Sequence, residues 1–435
     1  MKNTKSILMA AVAALSIASA SAEVIYVTGA TAFRSAANNS LYAKFSNNLL
    51  ASSGSSATDS GAIALYFKNC VLTNGTTNDI AVTWTGSEGG MQTVASGTNN
   101  KRVPFYDLAK LTSNNITNRT TGLTAPDTTN MLAGANTSLQ KGLIGCSDTF
   151  QKSSRFQGQK KAADGATYND LTVTAVGVVP YGFVASKGFA TKFPDRNMTV
   201  QNAYQLITAG FLTGDKISGN TNDVNVKIFA MGRNMDSGTR VITLANLKGA
   251  VTDKLTQWKI TASGGTVTAL AKHPQITING ILATLGESGE SSGGNVAGAM
   301  TNVISSTATV TGTSKGSTTN FLVGYVAMAD NTTARRTDGL VPLKFNGVEG
   351  RCYGTNALTT LDAGYTNIIT GAYPFWGYEF VTYDNSVASA NVKALATDWA
   401  AAIQLEASTG SVIAPNIKLS DMKNSRTEDG GNQGQ

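Results

Sequence analysis

Two short turns rich in glycine and hydroxyl residues could bind an anion. Residues 28–33 read Thr-Gly-Ala-Thr-Ala-Phe, residues 86–90 read Gly-Ser-Glu-Gly-Gly, and each follows an apolar run. The start of a helix offers unpaired N–H groups and the positive end of the helix dipole, and glycine lets a ligand approach the backbone closely. Because Ser and Thr cap most helices, a single turn would be an ordinary N-cap. Two such turns indicate an oxyanion site.

A third segment, residues 231–240, adds a positive charge to this pattern. It contains Arg233 and, a few residues later, Ser237-Gly238-Thr239. An arginine can donate two parallel N–H bonds to an oxyanion, and the Ser-Gly-Thr run supplies hydroxyl and backbone donors from a helix start. Arg240 at the end of the segment is expected to be a surface residue.

Asp148 follows another strand-like run and has the wrong charge for a simple anion site. A carboxylate beside an anion is repulsive unless the ligand carries a proton. In that case Asp148 would accept a hydrogen bond that fully ionised sulfate cannot donate, and it would select for a protonated oxyanion. The alternative is that Asp148 caps a helix, because Ser147-Asp148 stands between a strand and a helix start.

These residues need a scaffold in which strands end at one edge. Three runs are typical of buried strands, and each is followed by a turn or a helix: residues 24–27, 80–84 and 142–146. Alternating strands and helices predict an α/β fold with a mostly parallel sheet and ligand-facing loops at the carboxyl ends of its strands. The apolar run 171–184 is expected to cross into a second lobe, and residues 321–326 lead to the return crossing. Residues 241–258 are expected to be a helix.

Length and the two ends suggest how the chain is divided. Lys2, Lys5, an apolar run over residues 7–17 and Ala20-Ser21-Ala22 are typical of a signal peptide cleaved near Ala22, and imply a periplasmic or secreted protein. The remaining chain of about 410 residues exceeds what one core organises. We expect lobe 1 over residues 23–180 and 335–419, lobe 2 over residues 181–334, and a disordered tail over residues 420–435.

Charge, histidine and cysteine content exclude several function classes. The formal charge of +7 falls to +5 without residues 1–22, from 32 basic and 27 acidic residues, and no basic stripe indicates nucleic acid. The lone His273 is expected to be solvated, so no zinc site, cofactor or Ser-His-Asp triad is predicted. Cys70, Cys146 and Cys352 allow at most one disulfide. An enzyme such as a phosphatase would lack its metal ligands or activated nucleophile.

The four motifs, in this order, resemble those of the type II periplasmic binding proteins, and in particular the phosphate-binding subunit of the bacterial phosphate ABC importer. Val178-Val179-Pro180, residues 323–326 and Ala372-Tyr373-Pro374 fall where that family has its crossing strands and a late Tyr-Pro turn. The resemblance implies two α/β lobes joined by two crossing segments, phosphate or a related oxyanion in the cleft, and an ABC permease as partner. The ligand residues it implies are Thr31, Ser87, Asp148, Arg233, Ser237, Gly238 and Thr239.

This chain departs from the family pattern in two motifs. The fourth motif of the family reads Arg, any residue, Asp, Gly, Ser, Gly, Thr, whereas here Met235 takes the aspartate position and Asp236 the glycine position. In the second turn Glu88 stands where the family has a small residue. From its shifted position Asp236 could still reach Arg233.

Two other functions fit the sequence less well. The chain could be a secreted phosphate-sequestering or surface protein with the same fold and no importer. It could also be a glycine- and threonine-rich surface β-protein, but such a protein predicts strand repeats at even spacing, and the sequence has none. In each case we expect a monomer.

Overall fold

The structure, a computed structural model, describes residues 23–53, 62–97, 101–110, 137–162, 164–278, 280–316, 318–351, 364–409, 416–431 and 434. The expected signal peptide, residues 1–22, lies outside the described residues, and so does Cys352.

Strands make up most of the regular structure. In chain order they are β1 (Val24–Gly29), β2 (Leu49–Ser52), β3 (Ala64–Val71), β4 (Thr77–Thr83), β5 (Val103–Tyr106), β6 (Thr137–Gln140), β7 (Ile144–Ser147), β8 (Thr172–Ala185), β9 (Asn197–Met198), β10 (Phe211–Thr213), β11 (Lys227–Met231), β12 (Trp258–Ser263), β13 (Thr266–Lys272), β14 (Ile276–Ile278), β15 (Ile281–Ala283), β16 (Val303–Val310), β17 (Phe321–Ala327), β18 (Val341–Pro342), β19 (Lys344–Phe345) and β20 (Trp376–Tyr383).

The α-helices pack beside these strands. They are α1 (Arg34–Phe45), α2 (Ser87–Ala95), α3 (Phe189–Lys192), α4 (Val200–Ala209), α5 (Asp215–Ser218), α6 (Gly238–Asn246), α7 (Gly293–Ala299), α8 (Thr333–Thr337), α9 (Thr366–Ile369) and α10 (Ala390–Thr409). None of the helices in the described ranges is both long and apolar enough to span a bilayer.

One large mixed sheet organises the molecule, and the predicted α/β class is confirmed. Its strand order is β10-β11-β17-β8-β20-β7-β1-β4-β3-β2, with β18 also paired to β8. Pairing is parallel between β1 and β4, β1 and β7, and β11 and β17, and antiparallel between the other neighbours. The expectation of a mostly parallel sheet is therefore wrong, because antiparallel strands flank each parallel group.

The long strand β8 joins the two halves of this sheet. Its first part, from Thr172 to Pro180, pairs with β20, and its last part, from Tyr181 to Ala185, pairs with β17. The apolar run 171–184, expected to cross between the lobes, therefore forms part of one strand whose two parts pair with different partners. The last ten residues of β8 are buried, as a strand covered on both faces requires.

A second, smaller sheet contains β12, β13 and β16, and it begins at the last residue of a predicted helix. The expected helix over residues 241–258 is wrong beyond Asn246: α6 ends there, Lys248 adopts a left-handed φ of 63°, and Trp258 begins β12. The indole of Trp258 is 1% exposed and packs edge-on against Phe229 of β11. Burial of this large side chain in a sheet outweighs the local helical pattern.

The carboxyl-terminal tail is ordered in the described residues, contrary to expectation. The Arg426 guanidinium lies 3.8 Å from the centre of the Trp376 ring and donates to the carbonyl oxygens of Trp376 (2.9 Å) and Pro374 (2.7 Å). Asp429 is buried and accepts a hydrogen bond from the Phe150 backbone N–H at 2.9 Å. These contacts compensate for the polar, glycine-rich composition that predicted disorder.

One single-residue expectation is corrected, and one of the possible cysteine pairings is excluded. His273, expected to be solvated, is 5% exposed, and burial together with Lys259 lowers its pKa to about 4. Cys70 and Cys146 are both buried free thiols and do not pair with each other. Sequence could not show either result, because both depend on which segments the sheet brings over these side chains.

Candidate anion-binding site

The first glycine turn meets Arg233 across the molecule. Residues 30–33 connect β1 to α1, and Thr31 Oγ1 accepts a hydrogen bond of 3.2 Å from Arg233 Nη2, although the two residues are 202 positions apart in sequence. Arg233 is 3% exposed, and its guanidinium also donates to the carbonyl oxygens of Glu290 (3.3 Å) and Ser291 (3.1 Å). Burial lowers the pKa of Arg233, and nearby Asp330 and Asp148 oppose that shift.

The second and third motifs meet through a buried carboxylate. Ser87 Oγ donates to Asp148 Oδ1, and Tyr181 Oη donates to Asp148 Oδ2 at 2.7 Å. Asp148 is 2% exposed. Burial raises the pKa of Asp148 above its ordinary value, while the hydrogen bonds from Ser87 and Tyr181 and the charge of Arg233 oppose the rise.

Asp148 does not cap a helix in the structure. The short 3-10 helix that follows it, Gln151–Ser153, begins after Phe150 and has no side-chain cap. The capping alternative is therefore wrong. The two oxygens of the carboxylate are instead turned toward hydroxyl donors from two other elements.

The fourth motif forms the start of α6 and packs directly onto the second and third motifs. Ser237 Oγ accepts a hydrogen bond of 3.4 Å from the Arg240 N–H and so caps the helix. A Cβ at Gly238 would overlap Asp148 Oδ1 and Ser87 Oγ, so only glycine fits there. Thr239 is 1% exposed, and its hydroxyl has no hydrogen-bond partner among the described residues.

Glycines also bring the first and second turns together. A Cβ at Gly90 would lie 2.7 Å from Gly29 Cα, and the Gly86 N–H donates to the Gly29 carbonyl at 2.8 Å. Gly86 precedes α2 with a φ of 96°, a left-handed conformation that disfavours other residues. The four motifs therefore form one cluster, which contains Thr31, Ser87, Asp148, Arg233, Ser237, Gly238 and Thr239.

Several residues of this cluster were not predicted from the sequence. Tyr181 gave no signal, because it stands in the apolar run of β8 and only the strand pairing aims its hydroxyl at Asp148. Arg34 begins α1, and its Nε is buried without a hydrogen-bond partner in the described part of the chain. Burial lowers the pKa of Arg34, Asp330 opposes this shift, and the charge of Arg233 adds to it.

The expectation that Arg240 is a surface residue is wrong. Its side chain is 0% exposed, and Nη1 donates to the Glu287 carbonyl at 2.6 Å. Burial lowers the pKa of Arg240 to about 10. The residue supports the loop that carries Arg233, since Nη1 also lies 3.5 Å from the Arg233 carbonyl oxygen.

Of the two acidic departures from the family pattern, Glu88 is fully buried and Asp236 is half-buried. Glu88 is 0% exposed, and burial raises its pKa to about 7 against the opposing charge of Arg155. Burial and Glu88 likewise raise the pKa of Asp236 to about 7, with Arg155 and Arg233 opposing. Within the described ranges, no group of three or more His, Cys, Asp and Glu side chains is placed to hold a metal ion.

Several solved structures are similar to this chain. A substrate-binding protein assigned to phosphate ABC transport from Clostridium perfringens, solved with bound phosphate, is 12% identical, with a TM-score of 0.44 and coverage of 91% of this chain and 100% of that chain. An ABC-type phosphate transport receptor from Vibrio cholerae is 12% identical, with a TM-score of 0.42 and coverage of 89% and 99%. A phosphate-binding protein from Stenotrophomonas maltophilia is 13% identical, with a TM-score of 0.32 and coverage of 86% and 83%.

These three neighbours are phosphate-transport or phosphate-binding proteins. Comparison with protein-family models and with curated protein sequences finds no match.

Proposed function

We propose that this protein binds a small oxyanion, phosphate first among the candidates, at the cluster formed by the four motifs. The observation that carries the proposal is the placement of the buried Arg233 guanidinium against Thr31, together with a buried Thr239 hydroxyl that has no partner in the described residues. A buried cation and an unsatisfied hydroxyl both cost free energy, and an anion between them would satisfy both.

The donors of this cluster suit a tetrahedral anion. The guanidinium can donate N–H bonds to two oxygens, the first turns of α2 and α6 contribute N–H groups that have no intrahelical acceptor, and hydroxyl donors come from Thr31 and Thr239. The Ser87 hydroxyl already donates to Asp148. Such a set can surround an ion on several sides. The positive ends of the two helix dipoles favour its negative charge.

Asp148 favours a protonated oxyanion over a fully ionised one. Its carboxylate accepts one hydrogen bond at each oxygen, from Ser87 and Tyr181, and each oxygen retains a further acceptor site. Phosphate at neutral pH can donate an O–H to such a site. Sulfate has no proton to donate, so its negative charge would repel the carboxylate without a hydrogen bond to offset the repulsion.

We further infer that the bound anion is delivered to an ABC permease after export of the protein. This step is supported by the sequence resemblance and by the signal-peptide pattern of residues 1–22. Deletion of the gene should slow phosphate uptake at limiting phosphate concentration, and unchanged uptake would leave a binding protein without an importer.

The binding proposal is tested by calorimetric titration of residues 23–435 with phosphate, arsenate, sulfate and molybdate at pH 7. We expect one site per chain, with phosphate and arsenate bound more tightly than sulfate. The proposal would be wrong if the titrations detected no binding of any of the four anions.

A further inference from the structure

Residues that depart from the family pattern meet at one buried contact. Glu88 of the second turn and Met235 and Asp236 of the fourth motif lie together with Arg155, which comes from the loop after β7. We propose that Arg155 and Glu88 form a latch that holds the turn of Ser87 against the loop between Arg233 and Ser237, and so positions both for the anion. This inference rests on the proposed function and adds positioning residues to the same site.

Arg155 makes the latch by contacting both sides. Its backbone N–H donates to Glu88 Oε2 at 2.9 Å, and its Nη1 donates to the Met235 carbonyl oxygen at 3.0 Å. Nη1 also lies 3.8 Å from Glu88 Oε2, and the side chains of Arg155 and Glu88 are 4% and 0% exposed. One guanidinium therefore ties a carboxylate of α2 to the backbone of the fourth motif.

A second contact runs directly between the same two segments. The Glu88 N–H, in the first turn of α2, donates to the Asp236 carbonyl oxygen at 3.0 Å. Glu88 is adjacent to Ser87, and Asp236 is adjacent to Ser237. A Cβ at Gly86 would overlap the Asp236 carbonyl oxygen, so the two segments are closer than a residue with a side chain at this position would allow. The contact thus fixes the spacing between the two sets of proposed ligand residues.

Burial makes the ion pair sensitive to the loss of either partner. With Arg155 removed, Glu88 would have to bind a proton or remain a buried carboxylate without a counter-charge, and removal of both charges together avoids this cost. Glu88 Oε1 already has no hydrogen-bond partner among the described residues. Loss of Arg155 should therefore push α2 and the fourth motif apart and open the site.

The latch should also respond to pH. The charged groups that act on Glu88 are Arg155, Asp148 and Asp429, and those that act on Asp236 are Glu88, Arg155 and Arg233. Both carboxyls have pKa values of about 7 when the segments are in contact, well above their ordinary values. Contact therefore favours their protonated forms. A rise of pH from 6 to 8 ionises both carboxyls inside the protein at a cost that the charge of Arg155 only partly offsets, so the latch should weaken.

The test compares Arg155→Met, Glu88→Gln and the double variant with the wild-type protein. Phosphate affinity is measured by calorimetry, and phosphate dissociation rate by stopped-flow competition. We expect Arg155→Met to weaken phosphate binding at least tenfold, mostly through faster dissociation, and the double variant to recover part of that loss. Arg102→Met, which removes an exposed arginine, is the matched control.

The pH profile separates positioning from a general structural role. The ratio of wild-type to Glu88→Gln affinity cancels the titration of phosphate itself, and we expect this ratio to fall as pH rises from 6 to 8. If Arg155→Met does not fold, Glu88→Gln and its pH profile carry the test alone. An unchanged dissociation rate in folded Arg155→Met, a double variant no better than the single one, or a flat ratio would overturn the latch alone. Absence of anion binding in the wild-type protein would overturn the proposed function as well.

Discussion

Replacement of Arg233 by Met should remove most of the anion affinity while leaving the fold in place. The guanidinium is 3% exposed, so a contact to a bound anion would form without competing water. A charge-assisted, two-pronged contact of this kind contributes about 2 to 5 kcal/mol, which corresponds to a loss of roughly 30-fold to several thousand-fold in affinity. Met retains much of the side-chain volume, which limits any cavity.

Stability of the unliganded protein should change much less than affinity. Burial lowers the pKa of Arg233, which means that the charged guanidinium is disfavoured inside the folded protein. The Met variant does not carry this free-energy cost. Against this, the variant loses the hydrogen bonds to Thr31, Glu290 and Ser291.

The assay is calorimetric titration with phosphate, accompanied by thermal melting without ligand. Arg102→Met, which removes the same charge from the surface, should bind phosphate as the wild-type protein does. A folded Arg233→Met protein with an unchanged dissociation constant would refute the reasoning and remove Arg233 from the site.

Three further variants probe other parts of the structure. Wild-type protein should bind phosphate about a hundredfold more tightly than sulfate, a difference of roughly 2.7 kcal/mol in binding free energy. Asp148→Asn should lower this phosphate-to-sulfate affinity ratio in competition binding, because an amide can donate to an ionised oxygen. An unchanged ratio would contradict the role of Asp148. Gly238→Ala should weaken phosphate binding and lower the free energy of unfolding by about 1 to 3 kcal/mol, since its Cβ would overlap Asp148 and Ser87; full affinity would show that the two segments separate easily. Arg426→Ala should lower the free energy of unfolding in urea by about 1 to 3 kcal/mol through loss of its contacts with Trp376 and Pro374, and no change would mean that the tail contributes nothing.

The sequence predicts that the first three motifs lie close together, for a physical reason. Parallel strands end at the same edge of a sheet, and β1 pairs in parallel with both β4 and β7. The turns that follow β1 and β4 and the Asp148 loop after β7 must therefore lie close together. Glycine at Gly86 and Gly238 marks the places where backbone approaches another segment too closely for a side chain.

Residues whose role depends on distant partners could not be predicted in this way. Tyr181 reads as one more aromatic residue of an apolar strand, and only its pairing in β8 turns the hydroxyl toward Asp148. Arg240 reads as a surface arginine of a helix, yet the segment that carries Glu287 covers it. Glu88 and Arg155 are 67 residues apart, and neither indicates the other without the fold.

The same limit applies to elements with weak local patterns. The helix expected over residues 241–258 ends at Asn246, and burial of Trp258 against Phe229 places residues 258–263 in a strand. The tail is polar, and its order depends on the surface of Trp376 that receives Arg426. In both cases tertiary contacts outweigh local preference.

Co-crystallisation of residues 23–435 with arsenate tests the central claim most directly, because arsenate resembles phosphate in shape and its anomalous scattering marks the ion's position. The account predicts one anomalous peak, with arsenate oxygens within hydrogen-bond distance of the Arg233 guanidinium, the Thr239 hydroxyl and at least one of Thr31 and Ser87. A peak at a site that shares none of these residues, or a crystal saturated with arsenate that shows no peak at the cluster, would contradict it.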